Sequence, residues 1–397
     1  MTAVGDRAGN RVLGKGNVAL AEGAVQAGCR CYFGYPITPQ NEVPEYLSMR
    51  LPQVGGVFLQ AESEVASINM VLGAAASGVR AMTSSSRCGI SLMQEGISFL
   101  AGSQLPAVIV NVQRSGPGLG GIKTTQGDYL QSTRGGGHGD YRTPALAPWS
   151  VQEMFDFPFL AFEIAEKYRN PVLILPDATL GQMKEGVIMS SDRPVITYDK
   201  DYILDGAKGR PARNLRSMYL EGDDQELLNY VLREKYRKIE AEEQRFEERW
   251  IDDAECVIVA YGTAARVSLS AIQLARKEGL RVGLFRPITL WPFAADGLRA
   301  VAQRVKWILV VEMKLGEMVD DVREVVGPDV RVDFYGRPAG GVPSPRAILE
   351  HIKGHGVDKG EEWADKTAAA VDQYNWWRDG VLKPREVSPV VLGGDGQ

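Results

Sequence analysis

Histidine is nearly missing from this chain: His138, His351 and His355 are the only three in 397 residues. Chemistry that leans on histidine, such as a Ser-His-Asp triad or a histidine-ligated metal, has little to draw on. Cysteine is scarce too. Cys29, Cys31, Cys88 and Cys256 form no C-x-x-C pair, so no iron–sulfur or zinc ligand set is expected, and the thiols read as buried or reduced. No run of about 18 uncharged apolar residues occurs, which leaves no candidate transmembrane helix. The opening MTAVGDRAGNRVLGKGN lacks the continuous apolar stretch of a signal peptide, and the expected location is the cytoplasm. Nor is positive charge in excess. The net charge is −5, which argues against nucleic acid or an anionic membrane as the main partner.

What is present is a rhythm of short apolar runs separated by helical patterns. Residues 31–36, 57–60, 80–83, 107–112 and 171–175 read as strands. Residues 16–28, 65–78, 89–100 and 150–168 read as helices. Apolar runs of four to six residues between helices predict a buried parallel sheet covered on both faces. The expected fold class is α/β with two doubly wound domains. The first spans residues 1–195. A connector follows over 196–252, and its charge-dense stretch 223–250 reads as one long helix facing solvent or a partner. A second α/β unit spans 253–352, with strands expected at CVIVAYGT, RVGLFRP, KWILVVE and RVDFYG. Residues 353–397, with Tyr374, Trp376 and Trp377 close together, suit an arm against another subunit or a loose end.

In an open parallel sheet, ligands gather at the carboxyl ends of the strands. Four such ends in the first domain carry chemistry: GYPITPQNE (34–42), Glu62 after VFLQ, TSSSRCG (83–89) and QRSGPGLGG (113–121). In YPITP the prolines stiffen the loop that presents Thr38. Read alone, this is a rigid turn with Thr38 as helix cap. Arg114 is a candidate two-pronged clamp for a carboxylate, and Arg87 is a weaker second. The GPGLGG run fits a dinucleotide fingerprint, but no helix-like segment and no ribose-binding acid follow it, so that reading is rejected. His138, in GGGHGDYR, reads as loop polarity before it reads as a proton carrier. The long polar stretch between residues 112 and 150 is of the kind that is functional or disordered.

Several long motifs in one order resemble a known family. YPITP, QAESEVASINMVLGAAASGVRAMTSSS, GISLMQEGISFLAG, LPAVIVNVQR, QGDYLQSTRGGGHGDYR and GRPAGGVPSPRAIL are similar to the alpha subunit of thiamine-diphosphate-dependent 2-oxoacid:ferredoxin oxidoreductases. Among these, the 2-oxoisovalerate and phenylglyoxylate types are nearest. The resemblance implies a pyrimidine-binding domain followed by a transketolase C-terminal-like domain. It implies oxidative decarboxylation of a 2-oxoacid with coenzyme A to an acyl-CoA, carbon dioxide and two electrons. Such enzymes hold the diphosphate and Mg²⁺ on a motif beginning GDG. The only GDG here is residues 394–396, at the C-terminus. The diphosphate would therefore sit on a beta subunit, and [4Fe-4S] clusters on a ferredoxin-like delta subunit beside a gamma subunit. Electrons would leave to ferredoxin or, through a further flavin subunit, to NAD.

Carried onto this sequence, the resemblance makes Glu62 the acid at N1′ of the aminopyrimidine, with Pro36 against the cofactor. Thr38 and Arg114 would hold the substrate carboxylate, with Arg87 as a further contact. No metal ligand is expected on this chain. Glu64, two residues from Glu62, is expected to face away as an acid at a helix start. The chain departs from the family at Arg87-Cys88 and at Lys123-Thr124, both at the presumed mouth of the site. An extra cation there would suit 2-oxoglutarate, an alternative substrate. A non-catalytic nucleotide-binding scaffold using GPGLGG is the other alternative.

Overall fold

The structure, a computed structural model, describes residues 11–190 and 192–355. The tail with Tyr374, Trp376 and Trp377 lies outside the described residues. Met1–Leu349 forms one compact unit, whose described residues are the subject below.

The strands in chain order begin with β1 (Val12–Lys15), β2 (Cys31–Gly34), β3 (Val57–Gln60), β4 (Ala81–Ser85), β5 (Ala107–Asn111), β6 (Ala145–Leu146) and β7 (Pro171–Ile174). They continue with β8 (Lys184–Val187), β9 (Phe246–Arg249), β10 (Cys256–Val259), β11 (Val282–Pro287), β12 (Thr289–Trp291), β13 (Trp307–Glu312) and β14 (Arg331–Gly336). The first sheet runs β12-β6-β7-β5-β4-β2-β3. Its neighbours are parallel except for β12 against β6. Every residue of the central strands β4 and β5 is buried, as a sheet covered on both faces requires. Helix Gly16–Gln26 packs with Val151–Tyr168, and Glu64–Ala76 with Cys88–Gly102. The second pair meets where Gly96 faces Ile68 so closely that a Cβ would collide with it. Only glycine lets these two helices, whose first turns flank the site, approach so near.

The second sheet runs β14-β13-β10-β11-β9. Its four expected strands are parallel, and β9 adds an antiparallel edge. That edge corrects the expected helix over 223–250. The helix Gly222–Glu242 stops at Glu242, and Phe246–Arg249 pairs with β11. Tertiary contacts outweigh the local helical pattern here. The Phe246 ring stacks on Phe285 with centroids 5.0 Å apart, and Glu247 accepts from Arg286. A second difference lies at ITLWPF, expected as an exit loop. Thr289–Trp291 instead crosses to the first sheet and pairs with β6.

The connector is fastened by charge. Arg80 donates to Glu166 at 2.6 Å and to the Ile196 carbonyl. Lys200 reaches the same carboxylate at 2.6 Å. The burial of Glu166 alone would raise its pKa, but these two cations hold it below the ordinary value.

Candidate functional site

The carboxyl ends of β2, β4 and β5 lie side by side, so the loops after them converge. The YPITP loop is gripped from several directions. The Pro39 carbonyl accepts from Asn17 at 2.8 Å and from Gln182 at 2.7 Å. The Thr38 carbonyl accepts from Arg114 Nη1 at 2.6 Å. Gln40, fully buried, donates to the Tyr35 carbonyl and accepts from Ser84, whose hydroxyl also meets Tyr32 at 2.7 Å. Thr38 does not cap the next helix, which starts at Glu42 after Asn41. Its side chain and that of Pro36 are exposed. Below them Glu42 ties Lys15, Asn17 and Gln182 together. Burial pushes its pKa up, but those three donors bring it below the ordinary value.

The two carboxylates that open the next helix exchange their expected settings. Ser63 caps the helix, accepting from the Ala66 N–H at 3.2 Å. Glu64 is therefore the first helical residue. Its side chain turns inward, Glu64 is 5% exposed, and Oε1 accepts from Ser85 Oγ at 3.3 Å. Glu62 stays in the extended stretch beyond the edge strand β3 and is exposed. The two do face different sides, but the buried acid is Glu64. Gly89 opposes it, and a Cβ there would collide with both Glu64 Oε1 and Ser85 Oγ.

Arg114 follows β5 and is 8% exposed. One edge of its guanidinium is Nε and Nη2. Among the described residues Nε is buried without a hydrogen-bond partner, and Nη2 meets Cys88 Sγ at 4.0 Å. An edge of two N–H donors lacking oxygen acceptors is the shape that takes a carboxylate by two bonds. Ser86 Oγ and Thr83 Oγ1 are likewise buried without partners among the described residues.

Arg87 is turned elsewhere. Its guanidinium donates to the carbonyls of Ser115 and Gly118. It tethers the Gly-rich loop through both terminal nitrogens. That loop does not lead into a helix. It doubles back, with Ser115 N–H on the Lys123 carbonyl at 2.8 Å and Arg114 bridged to Thr124, so GPGLGG offers no helix end to a phosphate. Leu119 at its tip is 79% exposed. Lys123, together with Thr38, Pro39, Glu42, Ile122 and Gln182, lines an open cleft of about 600 Å³. His138 lies apart. Its ring edge meets Phe99, 6.1 Å between centroids, far along the helix that begins at Cys88.

Sequence reasoning passed over Gln40, Tyr32 and Asp177. Asp177 follows β7 in LPD, so the same carboxyl-end rule, applied to one more strand, would have found it. Among the described residues no three of His, Cys, Asp and Glu gather as a metal ligand set, and no helix is long and apolar enough to cross a membrane.

The chain can be set beside known proteins. Residues 22–247 match the family model for the thiamine-diphosphate-binding domain of pyruvate flavodoxin/ferredoxin oxidoreductase, and residues 254–348 match core domain II of pyruvate:ferredoxin oxidoreductase. Ketoisovalerate oxidoreductase subunit VorB of Methanothermobacter thermautotrophicus is 51% identical, over 85% of this chain and 96% of that one. The 2-oxoglutarate synthase subunit KorA of the same organism is 36% identical, over 85% and 97%. Among solved structures, 2-oxoglutarate:ferredoxin oxidoreductase from Magnetococcus marinus, with 2-oxoglutarate, coenzyme A and succinyl-CoA bound, superposes with a TM-score of 0.80 at 26% identity. That match covers 87% of this chain and 65% of the other. A split-gene transketolase, at 12% identity and a TM-score of 0.52 over 87% of this chain and 97% of that one, shares the fold. The chain belongs to the 2-oxoacid:ferredoxin oxidoreductases, a family of enzymes, and carries their thiamine-diphosphate-binding domain followed by core domain II.

Proposed function

We propose that this chain supplies the aminopyrimidine side of a thiamine diphosphate site and the anchor for a 2-oxoacid, in a multi-subunit enzyme acting on a branched-chain or aryl 2-oxoacid. The observation that carries this reading is Glu64, a buried carboxylate with one hydroxyl donor, packed against Gly89 so closely that a Cβ there would collide with it. A ring nitrogen is the kind of group that pairs with such a carboxylate. Ser86 Oγ, next along the chain from Ser85, is a further buried hydroxyl without a partner among the described residues. No metal ligand set accompanies it among the described residues, so the fit is to the aminopyrimidine end alone. The diphosphate and Mg²⁺ belong on a partner subunit.

The chemistry supplied by bound thiamine diphosphate is stabilisation of the carbanion left when a 2-oxoacid loses carbon dioxide. Glu64 takes the role that the sequence assigned to Glu62, because a carboxyl group shares a proton with a ring nitrogen best when water is excluded. Ser85 bonds Oε1 and leaves Oε2 for that proton. Arg114 receives the substrate carboxylate on Nε and Nη2, and its bond to the Thr38 carbonyl fixes the guanidinium plane. Thr38 presents its exposed hydroxyl to the same group, and Pro36 contributes apolar contact. Similarity to a ketoisovalerate oxidoreductase subunit supports a branched-chain substrate. Coenzyme A as co-substrate, and beta, gamma and iron–sulfur delta subunits in the cytoplasm, complete the reading. This reading gives Arg87 a tethering role instead of a substrate contact, since its Nη1 and Nη2 donate to the Ser115 and Gly118 carbonyls.

Lys123 on the cleft favours a second reading, in which it meets the distal carboxylate of 2-oxoglutarate. Steady-state kinetics of the assembled enzyme on 2-oxoisovalerate, phenylglyoxylate and 2-oxoglutarate decide between the two. A kcat/KM highest for 2-oxoglutarate, and lost in Lys123→Met, would overturn the branched-chain reading.

A further inference from the structure

Asp177 is 1% exposed and forms no ion pair among the described residues. Four donors surround its carboxylate. Oδ1 accepts from Thr124 Oγ1 at 2.9 Å, from Thr263 Oγ1 at 2.9 Å and from the Leu180 N–H at 3.1 Å. Oδ2 accepts from the Thr263 N–H at 3.1 Å. Thr263 opens the helix Gly262–Lys277 that follows β10 in the second domain. Thr124 is the residue bridged to Arg114 where the Gly-rich loop doubles back. One carboxylate thus holds the second domain with one oxygen pair and the backing of the substrate anchor with the same charge.

Other bonds run the same way. Gln113, next to Arg114, is bridged to Asp177 in parallel, with Gln113 N–H on the Pro176 carbonyl at 2.9 Å and Ala178 N–H on the Gln113 carbonyl at 3.0 Å. Beyond Thr124, Gln126 donates to the Tyr261 carbonyl at 2.8 Å and accepts from the Met313 N–H at 2.9 Å. Both faces of Arg114's backbone therefore rest on Asp177 or on the strand it follows, and the second domain closes on that same point.

We infer that Asp177 is a positioning residue for the 2-oxoacid. Through Thr124 it fixes the guanidinium edge of Arg114, and through Thr263 it makes that position depend on the docking of the second domain. The inference rests on the reading of Arg114 as the carboxylate anchor. A buried acceptor turned into a donor faces the Thr263 N–H with another N–H, an arrangement that costs a bond and the desolvation of both groups.

The test is a double-mutant cycle in the assembled enzyme with its partner subunits. Asp177→Asn is expected to raise the KM for the 2-oxoacid about tenfold while the KM for coenzyme A holds. In the Arg114→Ala background the same substitution is expected to change 2-oxoacid kcat/KM by less than about twofold, because residues acting through one another are non-additive. Thr263→Val, which removes one hydroxyl and keeps the fold, is expected to repeat the pattern at smaller size. Additive effects of Asp177→Asn and Arg114→Ala overturn the inference. A lowered unfolding temperature with unchanged 2-oxoacid KM, in Asp177→Asn or in Thr263→Val where the former does not fold, also overturns it and leaves a structural clamp. Normal kinetics in Arg114→Ala alone would instead show the anchor to be misassigned, and the relay would fall with it.

Discussion

The two domains repeat one architecture and finish their strands in opposite ways. At the carboxyl ends of the first sheet, Ser86 and Arg114 each keep a buried polar atom without a partner among the described residues. At the carboxyl ends of β10 and β13 in the second, the polar groups are closed. Glu312 accepts three N–H groups from residues 317–319, and Lys314 sits between Glu312 and Glu317 over the Tyr129 ring, 4.3 Å from its centroid. Tyr261 and Thr263 are taken up by Gln126 and Asp177. Orphaned donors are costly, so a fold keeps them only where something else completes them. The end of the first sheet suits the ligand proposed above, and the ends of β10 and β13 seat against the first domain.

The comparison breaks most sharply at Glu64. Glu64→Gln is expected to lower kcat by about 10²-fold or more, the scale of a lost acid–base group, while Glu62→Gln stays within about threefold. Steady-state rates of the assembled enzyme with each variant check this, and the reverse order would restore Glu62. Next comes Arg114→Ala, expected to reduce kcat/KM for the 2-oxoacid by about 10²-fold, with thiamine diphosphate affinity retained in a calorimetric titration. Arg87→Ala should act more mildly, raising the 2-oxoacid KM several-fold and opening residues 115–123 to limited proteolysis, because it removes the loop's tether. On the closed side, Lys314→Met leaves Glu312 buried without its cation. That should cost about 3 kcal/mol of stability, read by denaturant unfolding, with the 2-oxoacid KM unchanged within about twofold.

The effect smallest on activity lies outside both sheets. Burial, and then the Arg169 charge, pull the Lys235 ammonium down to about 7. In the unfolded chain it titrates at its ordinary, higher value. Between the two the unfolded chain binds more protons, so the destabilisation from this residue is full below about 7 and is relieved as pH rises through that window. Lys235→Met should flatten the unfolding temperature between pH 7 and 10 and leave activity untouched.

Much of this was legible in the sequence. Buried apolar runs located the parallel strands, and the carboxyl-end rule brought Thr38 and Arg114 to one place, where their hydrogen bond now joins them. The spacing of Glu62 and Glu64 said that one acid faces inward. It could not say which, because that depends on where Ser63 caps the helix relative to Ser85. The setting of Arg87 was not legible, because a guanidinium after a strand looks the same whether it meets a ligand or two carbonyls of its own chain. β9 and β12 were hidden for a different reason. Neither segment has a strand pattern strong enough alone, and each is decided by the strand it finds.

β12 also bears on how the chain can be cut and on how it folds. The second domain lends its third strand to the first domain's sheet, where Thr289 and Trp291 cover the edge of β6. A fragment ending near residue 252 would therefore bare a strand edge between residues 145 and 146, a template for pairing with other chains. The boundary that the sequence suggests is thus a poor place for scissors. Synthesis of the first sheet is complete only about 140 residues after β6 has left the ribosome, a long wait that slows assembly and lengthens exposure to aggregation.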